Sequence, residues 1–304
     1  MSDSFAIFLV RRVVAAVLVT VGVTSITFLI LRLLAPWGFD ETSPWVALVR
    51  YLRDVFLHGD LGISRQRPFL PVLTVLRDAL PADLALFAGA MVAGLALGIY
   101  GGVLCVRWRG TLRARVLEAL ATLFLCAPVY FVAMMVLLLF APSVGPPIPL
   151  FFVAPDTYHG LTDDPALWLR ALFVPWIVAG LPLASMCLRM VRATMPEAFE
   201  EDFVRTAQAK GVEARRIAVR HALPFALAPT FSLAGAYAPT LLANVVLVEA
   251  VFGVPGMYRL IPTAMDTANF PLLMGIVIVG AVFVVVGNAL ADITLAAIDP
   301  RVRA

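Results

Sequence analysis

Six apolar stretches limit what this chain can become: Val13–Leu31, Leu84–Val106, Val116–Ala141, Trp168–Leu188, Phe225–Val251 and Leu272–Ile298. Each can cross about 30 Å of hydrocarbon as a helix, which takes about 20 residues. A bilayer offers no water to bond backbone N–H and C=O groups, so such a stretch must satisfy them internally, as a helix does. The expected fold class is therefore all-α, a polytopic membrane protein with six transmembrane helices. Composition agrees, since only 14% of the 304 residues are charged, against about 25% in soluble domains. The first stretch follows Arg11-Arg12 as a signal peptide would. Its apolar core is too long and no small-x-small site follows, so it is expected to stay as a signal anchor.

Lys and Arg accumulate on the cytoplasmic side of membrane proteins. Two lie at the N-terminus (Arg11, Arg12) and four between the second and third stretches (Arg107, Arg109, Arg113, Arg115). Seven fall between the fourth and fifth (Arg189, Arg192, Arg205, Lys210, Arg215, Arg216, Arg220) and two at the C-terminus (Arg301, Arg303), so 15 of 23 share one side. Both termini are expected in the cytoplasm. On the outer side, Trp45, Val49, Leu52, Val55 and Phe56 repeat at helical spacing opposite Arg50, Arg53 and Asp54, which predicts a short amphipathic helix. His58 to Gly62 reads as a turn, and the Pro- and Gly-rich segment 142–165 as irregular chain. Residues 1–81 thus form an N-terminal span with an external loop, and 82–304 a five-helix core.

The longest charge-rich segment runs from Thr194 to Pro229. Thr194 and Glu197 have the spacing of a capping box, which predicts a helix start there. Phe199, Phe203 and Ala207 fall four apart, on one face. Gly211 permits the left-handed turn that ends a helix. A second short helix, Glu213 to Leu223, carries Arg215, Arg216 and Arg220, and Pro224 and Pro229 predict a bend into the next apolar stretch. On its residues alone this knob is either a surface hairpin between two spans or a docking element.

Polar groups inside the apolar stretches are few. Glu249, near the outer end of the fifth, either lies on a gate or pathway, helped by Asn244, or hydrogen-bonds the Gly253–Gly256 turn. Asp266, beyond that turn, is a third pathway candidate. Asn288 and Asp292 are four apart and suit a contact between helices. Pro229 and Pro239 free backbone carbonyls, which places the fifth stretch inside the bundle. Arg107, Arg109, Arg189 and Arg192 sit at helix ends, where snorkelling cations fix topology. Cys105, Cys126 and Cys187 lie in or beside apolar runs and read as small core or lipid-facing residues. No catalytic set, metal-ligand cluster or phosphate loop is visible, and Lys210 is the only Lys. No cofactor is expected.

Several motifs resemble one family. Gly211, Leu223 and Pro224 fit the G-x9-[apolar]-x-L-P spacing of the cytoplasmic loop of bacterial ABC importer permeases, with His221 in the apolar slot. The run Arg205-Thr206-Ala207, Lys210-Gly211 and His221-Ala222-Leu223 resembles the dipeptide, oligopeptide and nickel branch, and so does Gly59-Asp60-Leu61-Gly62. Glu249 to Met257 is similar to the family's E-x-[IV]-F-x-x-P-G-x run. Asn269-Phe270-Pro271 with Gly275 resembles its D-[YF]-P-x3-G segment, with Asn in place of Asp, and Asp299 to Arg303 its D-P-R-[IV]-R close. The resemblance covers about two thirds of the chain.

It implies a type I importer permease that forms the path for peptides, or alternatively for nickel or another small solute. The implied partners are a second homologous permease, two ATP-binding subunits, an extracytoplasmic binding protein and membrane lipid, with no nucleic acid. The implied coupling residues are Phe199, Phe203, Arg205, Thr206, Ala207, Lys210 and Gly211. ATP hydrolysis would belong to the partner chains. Two other classes remain open on the residues alone. An intramembrane enzyme would need paired acids or a nucleophile–base pair, of which Asn288 with Asp292 holds one acid. A secondary transporter would show matching halves, and none are visible.

Overall fold

A computed structural model describes residues 2–34, 42–66, 68–142, 153, 157–201, 204 and 213–298; for 2–13, 214–215, 221 and 288–298 it describes the backbone alone. Helix accounts for nearly all of it. The only β feature among the described residues is an isolated bridge between Ile63 and Pro71. Five helices are long and apolar enough to cross a membrane, and a bent pair makes up to six.

The chain forms two compact units: Met1–Asp83 with Pro255–Ala289, and Leu84–Val254 with Leu290–Ala304. The first contains α1 (Ser2–Leu34), α2 (Pro44–His58), the start of α3 (Val72–Arg107), α9 (Leu260–Asp266) and most of α10 (Phe270–Ile298). Helix α2 is the amphipathic helix expected after the first span, but the face it buries is shifted and shares only Leu52 and Val55 with the expected stripe. Leu48 and Val55 are buried and Tyr51 stacks on Phe28 at 5.2 Å, whereas Trp45 and Val49 are each 66% exposed. Two apolar stripes run along this helix, and the one beside Phe28 and Met274 won the core. Burial there pushes the Tyr51 phenol up, so it stays neutral. Gly59, at φ 67°, ends α2 in the left-handed cap expected of a Gly turn, with N–H bonds from Gly59 to Val55 and from Asp60 to Asp54.

The second unit holds the rest of α3, then α4 (Leu112–Cys126), α5 (Val129–Phe140), α6 (Pro165–Ala198), α7 (Ala214–Ile217) and α8 (Leu223–Phe252). Three expectations are corrected here. The stretch Val116–Ala141 is not one straight span: α4 and α5 meet at a 110° bend. Ala127 and Pro128 are both extended, with ψ of 132° and 128°; for Ala127 this is the region that a following proline favours. Nor does a helix start at Thr194. Helix α6 runs through it to Ala198, and the Thr194 hydroxyl donates to the Met190 carbonyl instead of capping. The flanking Val191 and Met195 belong to a buried cluster, so packing overrides the local cap signal. Finally, Pro224 does not mark a bend. Residues Ala218–Ala222 form one π-helical turn, with the Leu223 N–H bonded to the Ala218 carbonyl, and α8 follows directly. The wider turn takes up the clash that the Pro224 ring would otherwise make with the preceding turn.

Helix α6 is the most enclosed span. Two thirds of its apolar window is buried, against one third for the fifth, which buries one face only. The fifth stretch, expected inside the bundle, packs that one face against α6 and α5. Helix α6 packs on α8 and α4, and on the second half of α3 through a seam of small residues. A Cβ on Gly94 would stand 2.9 Å from the Gly180 carbonyl oxygen, and one on Gly98 would stand 2.6 Å from that of Ala184. Only glycine lets the two backbones come this close.

Candidate functional site

The expected coupling segment begins where α6 ends. Phe199 is half-buried and packs on Val204 and Ile217, and also beside Val191, Met195, Ala198, Ala222 and Ala226. It therefore ties both ends of the knob to the chain's own core. Phe203, Arg205, Thr206, Ala207, Lys210 and Gly211 lie outside the described residues. On the return limb, Arg216, Val219 and Arg220 are exposed, while Ile217 and Ala222 are buried. The knob is thus anchored by apolar contacts at its two ends, and Arg216 and Arg220 on the return limb face outward.

Two of the three pathway candidates lie on α8. Glu249 is fully buried on α8. Its backbone carbonyl accepts the N–H groups of Gly253 and Val254, and Gly253 ends the helix at φ 68°. Asn244 is half-buried and donates to the Tyr237 hydroxyl at 3.3 Å. Five residues separate Asn244 from Glu249, about 140° around a helix, so they occupy different faces. Asp266 is exposed at the end of α9, in the other unit. The side chains of Asn288 and Asp292 lie outside the described residues. Among the described residues no group of three or more His, Cys, Asp or Glu is placed to hold a metal.

Sequence reasoning missed the polar fastenings of the first unit. Asp83, 1% exposed, accepts the Met257 N–H at 2.9 Å and so pins the Pro-Gly-Met turn to α3. Asn269 is fully buried: its Nδ2 donates to Ser64 Oγ at 2.8 Å, and its Oδ1 accepts from the Arg65 and Leu272 N–H groups at 3.0 and 3.4 Å. It caps α10 and holds the loop after Leu61 in one step. These pairs are 174 to 205 residues apart in sequence, which no local pattern reveals. The signals were Asp83 at the edge of an apolar stretch and Asn269 at the head of the Asn-Phe-Pro run.

Membrane-length helices with an anchored basic knob between two of them define the chain as a multi-pass membrane protein. It belongs to the family described as the binding-protein-dependent transport system inner membrane component, which matches residues 94–304. The dipeptide transport system permease protein DppB of Escherichia coli K12 is 31% identical over 291 residues, 90% of this chain and 84% of that protein. The probable D,D-dipeptide transport system permease protein DdpB of the same organism is 31% identical over 96% of each chain. Two inward-facing structures of the MetNI methionine ABC transporter align with TM-scores of 0.53 and 0.56 at 19% identity, covering 77% of this chain and 99% of theirs. This last likeness shows the fold alone.

Proposed function

We propose that this chain is the permease subunit of an ATP-driven peptide importer. In this reading it forms the path for di- or oligopeptides handed over by an extracytoplasmic binding protein, beside a second homologous permease. The carrying observation is its likeness, over 90% of its length, to a dipeptide permease. The charge distribution supports both termini facing the cytoplasm. Residues 1–81 then act as an outer span and loop, and 82–304 as the five-helix core.

Coupling is assigned to residues 194–224. Phe199 anchors the segment from inside, and Phe203, Arg205, Thr206, Ala207, Lys210 and Gly211 present the face that enters a groove on an ATP-binding subunit. Each of two permeases meets one such subunit, and the ATP chemistry resides there. Glu249 and Asn244 on α8, with Asp266 beyond it, are the polar groups assigned to the path and its outer gate. The test is Ala207→Asp. A carboxylate desolvated there without a partner costs about 3–5 kcal/mol, a loss of roughly 100-fold or more in affinity. The complex should then lose ATP-binding subunits on purification, and uptake of labelled dipeptide should fall, while the permease pair stays inserted. Full subunit ratio and full uptake would refute the coupling role. Intact coupling without peptide uptake would refute the peptide.

A further inference from the structure

In the second unit, α3 and α4 are joined by a turn at Gly110, φ 83°, and Thr111 caps α4 by accepting the Ala114 N–H. Beside this turn lies a cleft of about 480 Å³. Arg109 and Arg115 reach it from the turn and α4, and Arg189 and Arg192 reach it from α6, some 80 residues later. Glu118 is the one carboxylate in its lining. That charge is spent, because the Arg192 Nε sits 2.8 Å from Glu118 Oε1. Arg189 donates to the Thr122 hydroxyl at 2.8 Å, a neutral partner. Arg109 and Arg115 have no ion pair among the described residues and are exposed. The cleft therefore holds three guanidinium charges in excess.

Its surroundings are those of a membrane surface. It lies at the ends of two spans, next to Trp108, an indole at such a boundary, with Arg113 stacked over the ring at 5.8 Å. Snorkelling alone spreads arginines singly around helix ends. Here four of them converge on one concavity at the ends of two spans.

We infer that this cleft is a site for the phosphate of an anionic phospholipid, whose headgroup enters among Arg109, Arg115 and Arg189 at the ends of the spans. Guanidinium groups bind phosphate oxygens with paired N–H donors, and basic pockets between membrane helices select anionic headgroups. The leaflet follows from the orientation proposed above. Lipid retention in a purified complex does not depend on that orientation, so the two can fail separately.

The test uses the full chain, purified with its partner subunits into nanodiscs of phosphatidylcholine containing one fifth phosphatidylglycerol. Native mass spectrometry counts the lipids retained. Wild type should retain phosphatidylglycerol, and Arg109→Gln with Arg115→Gln should lower its retention about tenfold. Arg113→Gln, outside the cleft lining, should retain it as wild type does. Thermal midpoints in pure phosphatidylcholine should match for all three, and phosphatidylglycerol should raise that of wild type but not of the double variant. Equal retention by wild type and the double variant overturns the site. Loss of bound lipid on adding millimolar inorganic phosphate, or protection by phosphate with no anionic lipid present, overturns the lipid assignment in favour of a free anion.

Discussion

The two compact units are held by opposite means. In the second, α3 and α6 meet through Gly94, Gly98, Gly180 and Ala184, and the stabilising contact is backbone against backbone. In the first, Asp83 and Asn269 reach across 174 and 204 residues to fix loops by hydrogen bonds. Lipid tails are as apolar as leucine, so helices inside a bilayer gain from close packing of small residues more than from burying large ones. Loops at the surface lack that recourse and must pair their backbone groups with side chains. Each device suits the medium around it. A substitution should therefore do harm through volume in one unit and through lost donors or acceptors in the other.

The largest effect is expected from adding volume to the seam. In Gly180→Val the new Cβ would stand 2.6 Å from the Ala90 carbonyl oxygen and 2.9 Å from the Gly94 nitrogen, and neither backbone can step aside. Overpacking costs about 1–3 kcal/mol where side chains can adjust, and more is expected here. A fall of at least about 3 kcal/mol, read from denaturant unfolding in detergent, would bear this out; wild-type stability would mean that the helices separate at little cost. Next comes Asp83→Ala, which leaves the buried Met257 N–H without its acceptor. Hydrogen bonds to charged groups contribute about 1.5–3 kcal/mol, so a loss of that size is expected, whereas Asp83→Asn, which keeps an acceptor oxygen, should lose less. If Asp83→Asn is as damaging as Asp83→Ala, the charge rather than the bond is what matters.

How much of this was legible depends on range. The spans were readable because apolar length is a local property, and so were α2 and the Gly59 turn, whose signals lie within a few residues. The proline pattern was not. Helix α6 carries Pro175, Pro182 and Pro196 and stays one helix, whereas the third stretch carries Pro128 and breaks by 110°. The prolines of α6 are spaced by seven and fourteen residues, so they fall near one face. Buried Leu172, Val178, Ala179 and Leu183 hold the helix together around them. Whether a proline breaks a helix is decided by such neighbours, which the run itself does not name. The face of α2 was lost for the same reason, since two apolar stripes compete and only Phe28 and Met274 choose between them. The arginines of the α4 cleft were visible as charges at helix ends, but their convergence was not.

The smallest effect tests whether the fastening of the first unit depends on geometry or on chemical identity. Asn269 stands where the family pattern has Asp, and it both donates and accepts: Nδ2 to Ser64 Oγ, and Oδ1 from the N–H groups of Arg65 and Leu272. Removing it in Asn269→Ala takes away the α10 cap and leaves buried donors unmet, for which about 1–2 kcal/mol is expected. In Asn269→Asp both acceptor contacts remain. The Ser64 hydroxyl, which can rotate, then donates to the carboxylate instead of accepting, and its oxygen keeps the Gln66 N–H at 3.3 Å. Three donors around a buried carboxylate offset much of its desolvation. Asn269→Asp should therefore stay within about 1 kcal/mol of wild type and preserve protection of the Arg65 and Leu272 amides from hydrogen exchange, while Asn269→Ala loses that protection. Matching losses in the two variants would mean that Ser64 cannot turn, and that the amide itself, rather than the set of acceptor positions, fastens the loop.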